Sequence, residues 1–249
     1  MKKLILFASA LCMSVCAMAQ SEFYVYKTDG SRVKFTIADV DSISFTAPKA
    51  AIENGHEYID LGLPSGLKWA TCNVGADTPE AYGNYYAWGE TTAPKDSYYW
   101  DTYKWRAGSG NAFTKYNTDS NYGIVDNKTT LDPADDVAAA NWGGKWRMPT
   151  DAEWTELREN CVWTWTTQNG TKGYKVTSKT NGNSIFLPAA GGWSDDYLSG
   201  VGGDGSYWSS SLSTDDPYEA GSVIFTSNVV HGTYELRYCG FSVRPVLGE

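Results

Sequence analysis

Few side chains in this sequence are both chemically competent and suitably spaced for acid–base, nucleophilic or metal chemistry. Two histidines occur, His56 and His231, and neither lies in an H-E-x-x-H pattern or beside a C-x-x-C pair. A zinc site or a Ser-His-Asp relay is therefore not signalled. His56 adjoins a linker and His231 a glycine-bounded loop, so solvated surface is the plainer reading of both. The Gly191-Gly192 and Gly202-Gly203 pairs lack a following Gly-Lys-Ser/Thr and read as turns rather than a phosphate loop. Acidic doublets stand at Asp135-Asp136, Asp195-Asp196 and Asp215-Asp216. Asp195, Asp196 and Asp204 share one glycine-rich loop and form the candidate metal set, with calcium as the cation that suits oxygen donors. The competing reading makes these doublets turn or helix-start residues, and no other cofactor is implied. Beyond the first 19 residues only Cys72, Cys161 and Cys239 remain, which allows at most one disulfide and leaves one thiol over.

The N-terminus says where such a chain would work. Lys2 and Lys3 precede an apolar run, residues 4–15, too short to span a hydrocarbon core of about 30 Å, and Ala17-Met18-Ala19 follows. This is the layout of a cleaved export signal over residues 1–19, with a mature N-terminus at Gln20 or Ser21. Val15, ahead of Cys16, is larger than the Gly or Ala of a lipoprotein signal, so cleavage is expected instead of lipid anchoring. No later stretch is long and apolar enough for a transmembrane helix. Removing residues 1–19 takes away two lysines and no acid, which moves the formal charge from -9 to -11. So acidic a chain repels phosphate backbones and anionic lipid surfaces, which excludes nucleic acid as an expected partner. A secreted or cell-surface location is expected.

Local patterns outline the elements. Residues 22–46 form a small β unit: Phe23 and Val25, a turn at Asp29-Gly30, then Val33, Phe35 and Ile37, with a third short strand at 42–45. Three such strands bury too little to stand alone, so the unit is expected to dock on the main domain or a partner. Residues 46–55 read as a linker. Asp132 before Pro133 predicts a helix over 134–140, and Thr150 with Glu153 forms a capping box opening a helix that runs to about 160. Strands are predicted at 58–61, 68–70, 173–179, 184–187, 207–210, 222–226 and 241–246, with Asn181-Gly182 closing a hairpin. A long loop covers 91–130. The 11 Trp and 17 Tyr serve either as the core of a loop-rich fold or as a stacking surface for sugars, and the core reading is the weightier.

Several segments in order carry a family resemblance: Tyr58-Ile59-Asp60-Leu61-Gly62-Leu63-Pro64-Ser65-Gly66-Leu67-Lys68-Trp69-Ala70, Tyr85-Tyr86-Ala87-Trp88-Gly89-Glu90, Trp146-Arg147-Met148-Pro149-Thr150-Asp151-Ala152-Glu153-Trp154, Tyr207-Trp208-Ser209-Ser210-Ser211 and Gly240-Phe241-Ser242-Val243-Arg244-Pro245-Val246. Residues 56–249 thereby resemble the Fibrobacter succinogenes major paralogous domain family, common in gut Bacteroidetes. The resemblance implies an α+β, C-type-lectin-like domain of the formylglycine-generating-enzyme subtype, with short helices and loop-rich antiparallel sheets, preceded by the small β unit. Such a likeness speaks of fold before function. Trp154 is expected to pack against strands carrying Trp208 and Phe241, and Arg147 and Arg244 to be buried and paired.

The expected function is a ligand-binding or adhesion protein that presents loops to a glycan or a protein. The alternatives are an oxidoreductase like the formylglycine-generating enzymes, for which Cys161 and Cys239 show no local paired-cysteine pattern, and a structural subunit whose N-terminal strands add to a neighbour. Ligand contact is expected on two C-terminal loops, 213–218 and 228–238. Their candidate residues are Tyr218, His231, Tyr234, Glu235, Arg237 and Tyr238, since Tyr- and Arg-rich loops on a rigid sheet offer contact area at low entropic cost. The flanking segments resemble the framework of diversity-generating-retroelement target proteins. Glu219 and Glu235 do not arise by adenine substitution in the Asn codons such systems favour, which counts against active diversification.

Overall fold

A computed structural model of the protein describes residues 22–26, 32–37, 50–93, 95–108 and 110–248. The expected export signal and the expected third strand at 42–45 lie outside the described residues. The chain divides into two units, Met1–Ala47 and Pro48–Glu249. In the first, Glu22–Tyr26 pairs antiparallel with Arg32–Thr36, with Phe23 opposite Phe35 and Val25 opposite Val33, as the period-2 pattern requires.

In the second unit strands dominate and helices are few, in keeping with an α+β or mostly-β class. A five-stranded antiparallel sheet runs in the order Ala51–Glu53, His56–Asp60, Lys68–Ala70, Val246–Leu247, Trp146–Arg147. Part of the expected linker is thus a strand. Asn54 and Gly55, both at positive φ, make the two-residue turn that pairs Glu53 with His56. A second sheet comprises Cys161–Gln168, Thr171–Ser178 and Ser184–Pro188, and a third comprises Gly205–Leu212, Glu219–Phe225 and Val230–Leu236. The expected loop over 228–238 is therefore mostly the edge strand of the third sheet.

Helix α1, Val137–Trp142, starts later than Pro133 suggests, because Asp136 and not Asp132 is the cap. One Asp136 oxygen accepts from Ala138 and Ala139 and the other from the Met148 amide at 2.7 Å, so this residue satisfies the helix start and a distant backbone donor together. Helix α2, Asp151–Asn160, begins at the capping box of Thr150 and Glu153 and buries Trp154 and Leu157.

The resemblance-bearing segments pair with one another and fill two core clusters. Tyr86 bridges Phe241, Tyr207 bridges Ser242, and Val246 pairs with both Trp69 and Arg147. The Trp208 indole donates to Tyr86 O, and Trp154 donates to Trp208 O. Trp69, Trp88, Trp146, Trp154 and Trp208 are fully buried. At roughly 200 Å² and 25 cal/mol per Å², each indole contributes about 5 kcal/mol before ordering entropy is set against it. Arg147 pairs with Glu153 at 2.8 and 2.5 Å. Arg244 is buried without a carboxylate: Asn73 Oδ1 and the carbonyls of Ala70, Thr71 and Phe186 accept its hydrogens.

Candidate binding face

Arg237 fixes the geometry of the C-terminal face. It leaves the edge strand where Leu236 ends it, and its side chain is fully buried instead of presented to a ligand. The guanidinium donates to Tyr103 Oη at 3.0 Å and to the carbonyls of Lys115, Tyr116 and Pro217. It lies over the rings of Phe113 and Trp88, 4.4 and 4.9 Å from their centroids. Charge in so dry a place is tolerated because hydrogen-bond acceptors and aromatic faces surround it. Arg237 is accordingly a pin that ties the C-terminal sheet to the segment 98–122, and its placement among contact residues is corrected.

Around this pin stands a group of partly buried aromatics. Tyr218 packs against Trp100 and Phe113, each at 5.3 Å, and against Tyr122 at 5.5 Å, while its hydroxyl donates to Asn111 O. Tyr238 meets Trp100 at 6.0 Å. Below them Phe113, Tyr103 and Tyr98 are buried, and burial pushes the Tyr103 phenol up to about 12. The expected candidates Tyr218 and Tyr238 thus join Trp100 and Tyr122 from the long segment 91–130, a combination with no local sequence signature.

The remaining candidates lie along the edge strand. His231 is exposed and paired in register with Ile224. Glu235 stands opposite Ala220, and burial, with the Glu219 charge, raises its carboxyl. Tyr234, opposite Gly221, is 47% exposed and borders a cleft of about 210 Å³ between α2 and the third sheet. The Asp151 carboxylate rests on Gly221 and the Arg158 guanidinium on Gly232, where any Cβ would collide with them. Burial raises the Asp151 carboxyl against the opposing hydrogen bond of Ser209. Sequence reasoning missed Arg158 and the cleft role of Asp151. The available signal was a glycine inside each of two adjacent strands, which marks close approach of another group.

Asp195, Asp196 and Asp204 are exposed and do not converge. Asp195 and Asp196 form the turn between Gly192–Ser194 and Tyr197–Ser199, with the Asp195 backbone bridged to Tyr98. Asp204 instead lies against Gly200 in the next turn. Among the described residues no three His, Cys, Asp or Glu side chains are grouped to hold a metal ion, so the structure does not bring the expected set Asp195, Asp196 and Asp204 together. His56 is stacked on Trp142 at 3.7 Å instead of standing free, and burial lowers its pKa.

Cys72, Cys161 and Cys239 are free thiols. Cys161 and Cys239 are buried in different parts of the core, and burial pushes them up to about 11 and about 12.

No family model, curated protein or solved structure matches this chain. No helix among the described residues is long and apolar enough to cross a membrane.

Proposed function

We propose that the protein is exported and acts in the secreted or cell-surface space as a ligand-binding or adhesion module, with a C-type-lectin-like scaffold presenting its C-terminal face to a glycan or a protein. One observation carries this reading. Trp100, Tyr122, Tyr218 and Tyr238, from two segments far apart in sequence, form a partly exposed aromatic group on a base locked by buried Arg237. Rigid aromatic area of this kind binds at small entropic cost.

The buried thiols support binding over oxidoreductase chemistry, because a reactive cysteine needs accessible thiolate. The test is a screen of the chain from Ser21 onward against glycans and host surface proteins. Tyr218→Ala and Tyr238→Ala should each weaken the ligand found by about 1 kcal/mol or more. Unchanged affinity in both variants moves the site off this group. Oxidation of cysteine or serine in a sulfatase-type peptide, abolished by Cys161→Ser or Cys239→Ser, replaces the binding reading altogether.

Assembly by strand addition is favoured by one feature of the N-terminal unit, where Tyr24, Val25, Val33 and Ile37 are exposed on a two-stranded hairpin. Light scattering tests it: concentration-dependent oligomers that vanish when residues 22–46 are deleted would support it, and a monomer throughout would remove it.

A further inference from the structure

The cleft between α2 and the third sheet holds two charged groups that do not satisfy one another. Asp151 and Arg158 are separated along α2 by about 10.5 Å of axial rise, so they mark opposite ends of the space. Arg158 makes no hydrogen bond or ion pair with any described residue, although its guanidinium is turned inward onto Gly232. A guanidinium keeps its charge at every physiological pH, and partial burial without an anion leaves its desolvation uncompensated. Asp151 offers acceptor oxygens at the far end, and Tyr234, opposite Gly221, lines the space beside Asp151. Glycine at 221 and 232 is what lets both charges sit this close to the sheet.

We propose, on the binding role above, that this cleft takes one hexuronic acid residue of an acidic glycan. Its carboxylate lies on Arg158, its ring hydroxyls donate to Asp151, and a face of the ring packs on Tyr234. The guanidinium fork matches a planar carboxylate with two parallel N–H donors. The volume of about 210 Å³ is below the ~300–1,000 Å³ of sites for drug-sized ligands and suits a single sugar ring. The Asp151 charge discriminates against the doubly charged phosphate group and against acidic peptides with several carboxylates, while it welcomes hydroxyl donors. A neutral hexose satisfies Asp151 but leaves Arg158 without its anion.

The test is protein-observed NMR titration of the chain from Ser21 onward with D-glucuronate and D-galacturonate. Glucose, galactose and acetate serve as comparison probes. At least one uronate should shift the amides of Ser222, Val223 and Gly232–Tyr234. The corresponding neutral hexose and acetate should bind at least about tenfold more weakly. Arg158→Gln should lose about tenfold in uronate affinity with its spectrum and melting temperature preserved, and Tyr234→Ala should lose affinity as well. Uronate shifts absent from the cleft overturn the proposal, as does affinity retained in Arg158→Gln. Acetate binding as well as the uronates would point to a bare carboxylate, such as an acidic peptide carries, and would also overturn it. A neutral glycan or a protein that binds at the Tyr218 and Tyr238 group, with no uronate shift in the cleft, would leave the general binding role standing while removing this site.

Discussion

Arg237 and Arg244 solve the same problem in the same way: each is fully buried, and each hands its hydrogens largely to main-chain carbonyls instead of a carboxylate. Truncating such a side chain strands several buried acceptors at once. Arg237→Met should therefore cost about 3 kcal/mol or more of folding stability, read as a fall in the urea midpoint followed by tryptophan fluorescence. A variant as stable as the parent would contradict the pin. Asp135 is the matching buried acid. Burial alone would raise its carboxyl, but Lys115, Tyr116 and Lys104 outweigh that and hold it below the usual aspartate range. A folded-state value depressed below the unfolded one contributes stability above the unfolded pKa of about 3.9, and that contribution is lost as pH falls through the folded value. Urea midpoints should drop below about pH 4. In Asp135→Asn, already weakened at neutral pH, the acid-side drop should be shallower; an equally steep drop would clear Asp135 of the effect. At this scale the sequence disclosed which residues were unusual but not their fate. Arg237 sits among tyrosines in a polar-looking run, and only the fold shows that its partners are carbonyls 20 and more than 100 positions away.

Elements were legible where a local signal was complete. Thr150 and Glu153 mark the start of α2 without help from the rest of the chain, and Thr150→Ala should cost about 1 kcal/mol by chemical denaturation. The start of α1 was misplaced because Asp132-Pro133 is a good local cap, whereas Asp136 gains a third donor from Met148 that no local reading contains. Strand Cys161–Gln168 was missed despite the alternation of Cys161, Trp163 and Trp165 and the Asn169-Gly170 turn after it. Both turn residues have positive φ, as a two-residue hairpin turn demands. Gly170 has open space around it, so Gly170→Ala tests the backbone alone and should cost about 1 kcal/mol. The strand Val230–Leu236 looked like a loop because Gly232 weakens its pattern. That glycine is there for Arg158, a reason belonging to another element.

For the molecule as a whole, composition and the first 19 residues bear on location, and order of motifs bears on fold. Intact-mass measurement of the exported protein should find Gln20 or Ser21 first; retention of Met1, or lipid on Cys16, would refute the signal reading. The aromatic content is split by burial: the indoles of Trp69, Trp88, Trp146, Trp154 and Trp208 are sealed in the core, while Trp100, Tyr122, Tyr218 and Tyr238 stay partly exposed. That division depends on long-range placement, which periodicity does not encode.

The position of Val246–Leu247 between Lys68–Ala70 and Trp146–Arg147 has a consequence in time. The strand that joins the two parts of the five-stranded sheet is the last of its strands in chain order, so the sheet closes only after nearly all of the domain has been made. Pairings of such high sequence separation fold slowly. In a chain threaded N-terminus first through a channel, this sheet would therefore stay open until its final strand arrives. Removing residues 240–248 should leave a chain without native circular dichroism or cooperative melting, whereas native melting in that truncation would show that the sheet closes without its last strand.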